Sequence, residues 1–247
     1  MSSQTPKLRR RDSNRAAPTL LATSTRTRLI EVAGEVFAQV GYEAATVREI
    51  CARAGANVAA VNYHFGDKLG LYTEVLRSLN AAPTEAIRKV LNSEGPPEEI
   101  LRQTIRVMMQ NLCGTDRLEL RFRLMAHELA RPTPAMSRVI DEAILPVYNR
   151  LRKVVGAILH LSPDHSRTRF CTLSIVGQIV HYKHASPILA RLWPELKMTP
   201  EQVEQIVNHI TEFSLAYLRA EGSARARVAP SRKGRGRMAG RRGEIKR

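Results

Sequence analysis

Within the stretch TVREICARAGANVAAVNYHF, residues 46–65, a single glycine separates two short runs of helical periodicity, and few folds accommodate that pattern. Thr46 followed three residues later by Glu49 is a capping-box signature, so a helix is predicted to begin at Val47. Its inner face is Val47, Ile50 and Ala54, spaced one turn apart, with Arg48 and Arg53 toward water. Gly55 falls where a helix end takes a left-handed residue, which glycine adopts without a Cβ clash. Asn57 is a suitable cap for a second helix through residues 58–63. Helix, glycine turn and helix form the unit whose second helix enters a DNA major groove. Because such bends are common in all-α proteins, the pattern needs its surroundings.

Those surroundings are helical too. Aromatic residues are only 5% of the chain, and Leu, Ala, Val and Ile recur at helical spacing, which predicts an all-α fold. The chain is long enough for a sizeable core. Its net charge of +16 sits mostly at the two ends, with +4 in residues 1–22 and +9 in residues 222–247. Only +3 remains for the middle, so the basic pI reports two Arg-rich stretches and not a basic domain. These read as a disordered arm and tail, either solvated or adding sequence-independent attraction to phosphates; Arg9, Arg10 and Arg11 also suit a minor-groove arm. Cys51, Cys113 and Cys171 stand alone without CxxC spacing, which points to small buried hydrophobes in a reducing compartment. The longest apolar runs, residues 154–161 and 173–180, are too short to span a bilayer, and the basic start lacks a signal-type apolar stretch. The expected location is cytoplasmic, with no membrane partner.

Taken in order, the first helix is predicted over residues 25–40, with Leu29, Ala33, Val36, Phe37 and Val40 inward and Gly41 as its stop. A fourth helix runs from residue 67 or 68 to 80, containing Gly70 as either a close-packing site or a tolerated weak point. Further helices are predicted over residues 83–91, 97–113, 116–130, 134–161, 166–184 and 200–221, broken at Gly- and Pro-containing turns. Pro200 stands at a first helical position. The implied organisation is a basic arm (1–22), a reading head (23–80), a helical body (81–221) and a basic tail (222–247).

Ala33, Phe37, Gly41-Tyr42, the run from Ala45 to Ile50, Ala54-Gly55, and Tyr63-His64-Phe65 followed by Lys68 and Leu71-Tyr72 together resemble the TetR/AcrR family of transcriptional regulators. The resemblance spans roughly residues 25–79. It implies an N-terminal three-helix helix-turn-helix domain on a helical ligand-binding and dimerisation domain. It also implies a palindromic double-stranded operator read by a homodimer. The residues carried over are Arg26 and Arg28 as phosphate contacts, Thr46, Val47 and Arg48 at the first motif helix, and Asn57, Val58, Ala59, Ala60, Asn62, Tyr63 and His64 on the second. Asn57 and Asn62 have donors and acceptors for base edges or phosphates, while the alanines allow close approach and thymine-methyl contact. Tyr63 and His64 are expected at backbone phosphates, as is Lys68 near the start of helix four. The sequence departs from the family's common form at Asn57, at Val61-Asn62 and at Leu69, which leaves any transferred operator sequence in question. The segments MAHELARPTPAM and SPILARLWPELKMTPEQV further resemble a CerR-like C-terminal domain.

By the same resemblance, an unknown small-molecule effector is expected between helices five and eight. Met108, Met109, Leu112, Phe122, Met125 and Tyr148 are its apolar candidates, set against a reading as plain core. His127, Gln178, His181 and Tyr182 are polar candidates, set against satisfied structural groups; His181 and His184 share a face but lack a third metal ligand in sequence. Two apolar surfaces are expected to dimerise: Leu173, Ile175, Val176, Ile179 and Val180, and Val203, Ile206, Val207, Ile210, Phe213, Leu215 and Tyr217. No cofactor is expected. No GxSxG, HExxH, phosphate loop or clustered carboxylate pair supports an enzyme. The competing function is a nucleoid-type protein that coats DNA through its basic ends without sequence preference.

Overall fold

The structure, a computed structural model, describes residues 17–113 and 116–228, with side chains described for residues 25–113 and 117–224. Among the described residues the regular elements are all helical: α1 (Ala17–Ala44), α2 (Val47–Ala54), α3 (Val58–Phe65), α4 (Lys68–Leu91), α5 (Pro97–Gln110), α6 (Asp116–Ala130), α7 (Pro134–Val139), α8 (Leu145–Leu159), α9 (Ser166–His184), α10 (Ser186–Leu192) and α11 (Pro200–Val228). Most of the basic arm and tail, residues 1–16 and 229–247, lies outside the described residues. Where the two overlap, α1 already begins at Ala17 and α11 continues to Val228, so both helices run into stretches that the sequence assigns to arm and tail. None of the described helices is long and apolar enough to cross a membrane.

The head is built from α1 to α4. Gly41 interrupts α1 at φ 80°, where the sequence predicts its end. Leu29, Ala33, Val36 and Phe37 of α1 are fully buried against Ile50 of α2, Val61 of α3 and Leu71, Tyr72 and Val75 of α4, whereas Val40, expected inward with them, is 47% exposed just before Gly41 breaks the helical register. Three rings anchor this core, with Tyr72 4.7 Å from Phe37 and 5.0 Å from Tyr42 between centroids. Leu124 of α6 and Ala135 and Val139 of α7 complete the same cluster. The head core is therefore closed by residues from beyond position 80.

Two predicted breaks differ. Helix four does not stop at residue 80 but runs through Pro83 to Leu91, absorbing the separate helix predicted over residues 83–91. Proline has no N–H to give the preceding turn, a loss worth about 3 kcal/mol in an average helix. Neighbouring amides bond backbone carbonyls on either side: Asn80 Nδ2 donates to the Leu76 carbonyl at 2.8 Å, and Asn111 Nδ2 to the Pro83 carbonyl at 3.2 Å. The long helix predicted over residues 134–161 is instead α7, a π segment (Ile140–Ile144) and α8. Pro146 cannot donate to the carbonyl four residues back, and Leu145 N–H reaches the Ile140 carbonyl five residues back.

The body core joins Leu101, Ile105 and Met109 of α5, Leu151, Val155 and Leu159 of α8, Ile175 and Ile179 of α9, and Val207, Ile210 and Leu218 of α11. Its buried threonine hydroxyls are satisfied: Thr172 donates to the Thr168 carbonyl at 2.7 Å and Thr211 to the Val207 carbonyl at 2.6 Å within their own helices, and Thr168 reaches the Ser162 carbonyl before α9 at 2.9 Å. Ion pairs clamp α5 to α11 at both ends, Arg106 with Glu204 and Arg219 with Glu98.

Candidate nucleic-acid interface

α2 begins as its sequence dictates: Thr46 Oγ1 accepts the Glu49 N–H at 3.2 Å. It ends at Gly55, which lies in the left-handed region (φ 58°), and Ala56 N–H returns to the Cys51 carbonyl at 2.9 Å. Asn57 then starts α3, its Oδ1 accepting the Ala59 N–H at 3.0 Å. Ile50, Cys51 and Ala54 from α2 and Val61 from α3 are buried, which fixes the angle between the two helices. Arg53 ties α2 to α1 by donating to Gln39 Oε1 at 3.0 Å while pairing with Glu49 at 2.7 Å.

This packing leaves one side of α3 bare. Asn57, Val58, Ala59, Asn62 and Tyr63 are all exposed, with Tyr63 at 84% the most exposed large apolar side chain described. Tyr63 and His64 rings lie edge to face, 4.9 Å apart, so the aromatic end of the helix carries a paired phenol and imidazole. Arg28, Thr46 and Arg48 are exposed on the flanks. Ala60 and Val47, expected among the contact residues, instead pack partly against the head core. Each lies on the inward side of its helix, within a turn of buried Val61 or Ile50.

Two expected phosphate contacts are engaged elsewhere. Lys68 Nζ donates to the carbonyls of Ala45 at 2.9 Å and Glu43 at 3.2 Å, and stands 4.5 Å from the Tyr42 ring centroid. There it satisfies carbonyls left open where α1 ends, and so holds α4 against α1. Arg26 pairs with Glu74 of α4 and lies 5.4 Å from the Phe65 ring.

The predicted effector residues are dispersed. Met109 and Leu112 are buried core, whereas Met108, Phe122 and Tyr182 lie half-buried at its margin. Met125 is half-buried as well, and Tyr148 lies on α8 with the Arg152 guanidinium 5.2 Å from its ring. His127 belongs to the seam between head and body: its Nε2 lies 3.3 Å from the Ala38 carbonyl, beside a cavity of about 390 Å³. Next to it, buried Glu128 accepts from Thr133 N–H at 2.9 Å and Thr133 Oγ1 at 2.8 Å, tying the end of α6 to the residue before α7. Tyr72, buried beside that carboxylate, has its phenol pushed well up, first by burial and then by Glu128. Gln178 faces an outer groove of about 360 Å³, and Tyr182 a different depression with Trp193 and His209. His181 is exposed, and among the described residues no group of three metal-ligating side chains converges.

The expected dimer surfaces divide in the same way. Ile175, Ile179, Val203, Ile206, Val207, Ile210 and Leu215 are core of the single chain, and Val176 and Val180 are half-buried. Leu173, Phe213 and Tyr217 are 49–64% exposed and are joined by Phe170 at 68%, which the sequence reading missed. Phe170 precedes the apolar run by a helical turn, and its spacing of three from Leu173 was the available signal.

Comparison with known proteins follows this division. Residues 29–75 match the profile described as "Bacterial regulatory proteins, tetR family", and residues 97–218 match "HTH-type transcriptional dual regulator CecR, C-terminal domain". The C-terminal type is thus the one named CecR, in place of the CerR label used above. The chain is 26% identical over 181 residues to the HTH-type transcriptional dual regulator CecR of Shigella flexneri, covering 69% of this chain and 80% of that protein. A transcriptional regulator from Pseudomonas aeruginosa PAO1 has a similar fold, with TM-score 0.60 at 19% identity over 80% of this chain and 93% of that one. So has SmeT, described as the repressor of the Stenotrophomonas maltophilia multidrug efflux pump SmeDEF, with TM-score 0.56 at 18% identity over 79% and 91%. With a reading head and a body that each match regulators of one kind, the chain belongs to the TetR family of DNA-binding transcriptional regulators, in the branch with a CecR-type C-terminal domain.

Proposed function

We propose that this regulator is a homodimeric repressor that occupies a palindromic operator and changes its DNA affinity when a small molecule binds its body. The supporting observation is the bare outer side of α3. A rigid, doubly capped helix presents Asn57, Val58, Ala59 and Asn62 outward and ends in exposed Tyr63. Small and amide side chains suit base edges, while Tyr63, His64, Arg28 and Arg48 suit the flanking phosphates. Lys68 and Arg26 act in this reading as positioning residues, holding α3 and α4 in place. No chemical step is involved; control is by occupancy.

A single short helix reads few base pairs, so two heads a duplex turn apart are needed for a long site. The apolar surface of Phe170, Leu173, Phe213 and Tyr217 is the surface on which two copies would meet. Effector control rests on linkage: a ligand that prefers the conformer with wrongly spaced heads lowers DNA affinity by its differential binding free energy. SmeT, a fold neighbour, has been solved as a complex with triclosan. The test is selection of bound fragments from the host genome by the purified full-length chain, followed by footprinting. An inverted repeat of two half-sites is expected. Fragments with no shared motif, or binding equally strong to competitor DNA, would return the nucleoid-type reading.

A further inference from the structure

α6 packs closely on α1 and α4, while its described contacts with α9 run through long side chains. Lys183 Nζ of α9 donates to Glu119 at 2.7 Å and stands 5.1 Å from the Phe122 ring centroid, and the His184 ring lies 6.1 Å from the same ring. Arg121 flanks that ring as well, its guanidinium carbon 5.4 Å from the centroid. Its Nε and Nη1 are shut off from solvent and have no hydrogen-bond partner among the described residues. Burial pushes the guanidinium pKa down, and no carboxylate among the described residues offsets that burial. Other partly buried arginines of the body have carboxylates: Arg106 has Glu204, and Arg152 has Asp164 and the Pro163 carbonyl, although its Nε is likewise enclosed without a partner.

An arginine cannot escape such a position by losing its proton, so the desolvation penalty persists until an anion arrives. Glu119 of α6 is already held by Lys183 and by Arg123 at 3.5 Å, so it offers Arg121 no counter-charge. A carboxylate would supply the missing counter-charge and accept from the planar guanidinium donors in pairs. Phe122 beside Arg121 is half-buried apolar surface at the margin of the body core, a margin it shares with Met108 and Tyr182. We propose that Arg121 receives the anionic end of the effector, and that the effector is a carboxylate on an apolar body seated between α6 and α9. This deepens, and rests on, the effector-responsive reading above.

The test uses the full-length protein in thermal unfolding, with decanoate and 4-phenylbutyrate each compared with its own primary amide. Both acids are expected to raise the melting temperature by a few degrees and the amides to leave it unchanged. Arg121→Met is expected to melt above wild type without ligand, because the unpaired cation is gone, and to lose the response to acid. Arg121→Lys, which restores a charge without the planar donors, should recover part of it. Equal shifts with acid and amide, no shift with either acid, or an Arg121→Met protein that melts well below wild type would each overturn the assignment. Operator binding is read separately by anisotropy. Specific binding that ignores the acids sinks this inference alone, whereas absent specific binding sinks the parent reading while the melting comparison still decides Arg121.

Discussion

At Lys68 the ammonium lies within hydrogen-bond reach of the Ala45 and Glu43 carbonyls and over the Tyr42 ring. A lysine at this point of the sequence reads as a phosphate contact, because it follows the aromatic end of the reading helix. The local chain does not reveal that α1 ends beside it with open carbonyls. Lys68→Met keeps the stem over Tyr42 and removes the charged donor. It is expected to lower stability by about 1.5–3 kcal/mol in denaturant titration, the usual worth of hydrogen bonds to a charged group. The slope of log affinity against log salt should stay as in wild type. A slope shallower by about 0.9 with unchanged stability would instead place Lys68 on a phosphate. The caps Thr46 and Asn57, by contrast, are legible from neighbours two or three residues away, and both bond as the sequence predicts.

Between elements, the junction of α3 with α4 has little room. A Cβ built on Gly70 would lie 1.9 Å from the Phe65 carbonyl oxygen, and Gly70 N–H is held by Asp67 Oδ1 at 2.7 Å. Of the two sequence readings of Gly70, close packing is the one the structure bears out. Gly70→Ala must push α4 away from the end of α3, at about 1–3 kcal/mol or more. A lower melting temperature together with weakened operator binding is expected, and a variant that melts and binds like wild type would refute the tightness of this junction. Helices with legible caps are read well from sequence, as α2 and α3 show. α4 is not, since Pro83 reads locally as a break and only the packing of α5 and α7 against the helix explains its continuation. The π segment before α8 escapes for a related reason: the register slip answers one missing N–H at Pro146 and leaves the apolar pattern almost unchanged.

Across the molecule, the bare polar side of α3 in the head is matched by a bare apolar surface on the body. Phe170, Leu173, Phe213 and Tyr217 surround or adjoin a groove of about 360 Å³, and each large side chain left in water forgoes about 1.5–3 kcal/mol of burial. In the proposed dimer this surface is covered by a second copy. Phe213→Asp is expected to give a monomer by light scattering, with the helical circular dichroism of wild type and at least tenfold weaker binding to a two-half-site operator. A stable dimer in that variant would move the interface elsewhere.

By itself the amino-acid sequence determined the two motif helices of the head, the class of the fold and the family, because caps, glycine turns and apolar stripes act over three or four residues. The tertiary structure alone decided which apolar residues of α9 and α11 fill the core and which face out, since helical periodicity marks a stripe but not what covers it. It also decided which cations are free: Lys68 and Arg26 are engaged within the head, and Arg121 is enclosed without a counter-charge. A charge is paired or stranded by groups that folding brings from distant parts of the chain, and no local pattern records that meeting.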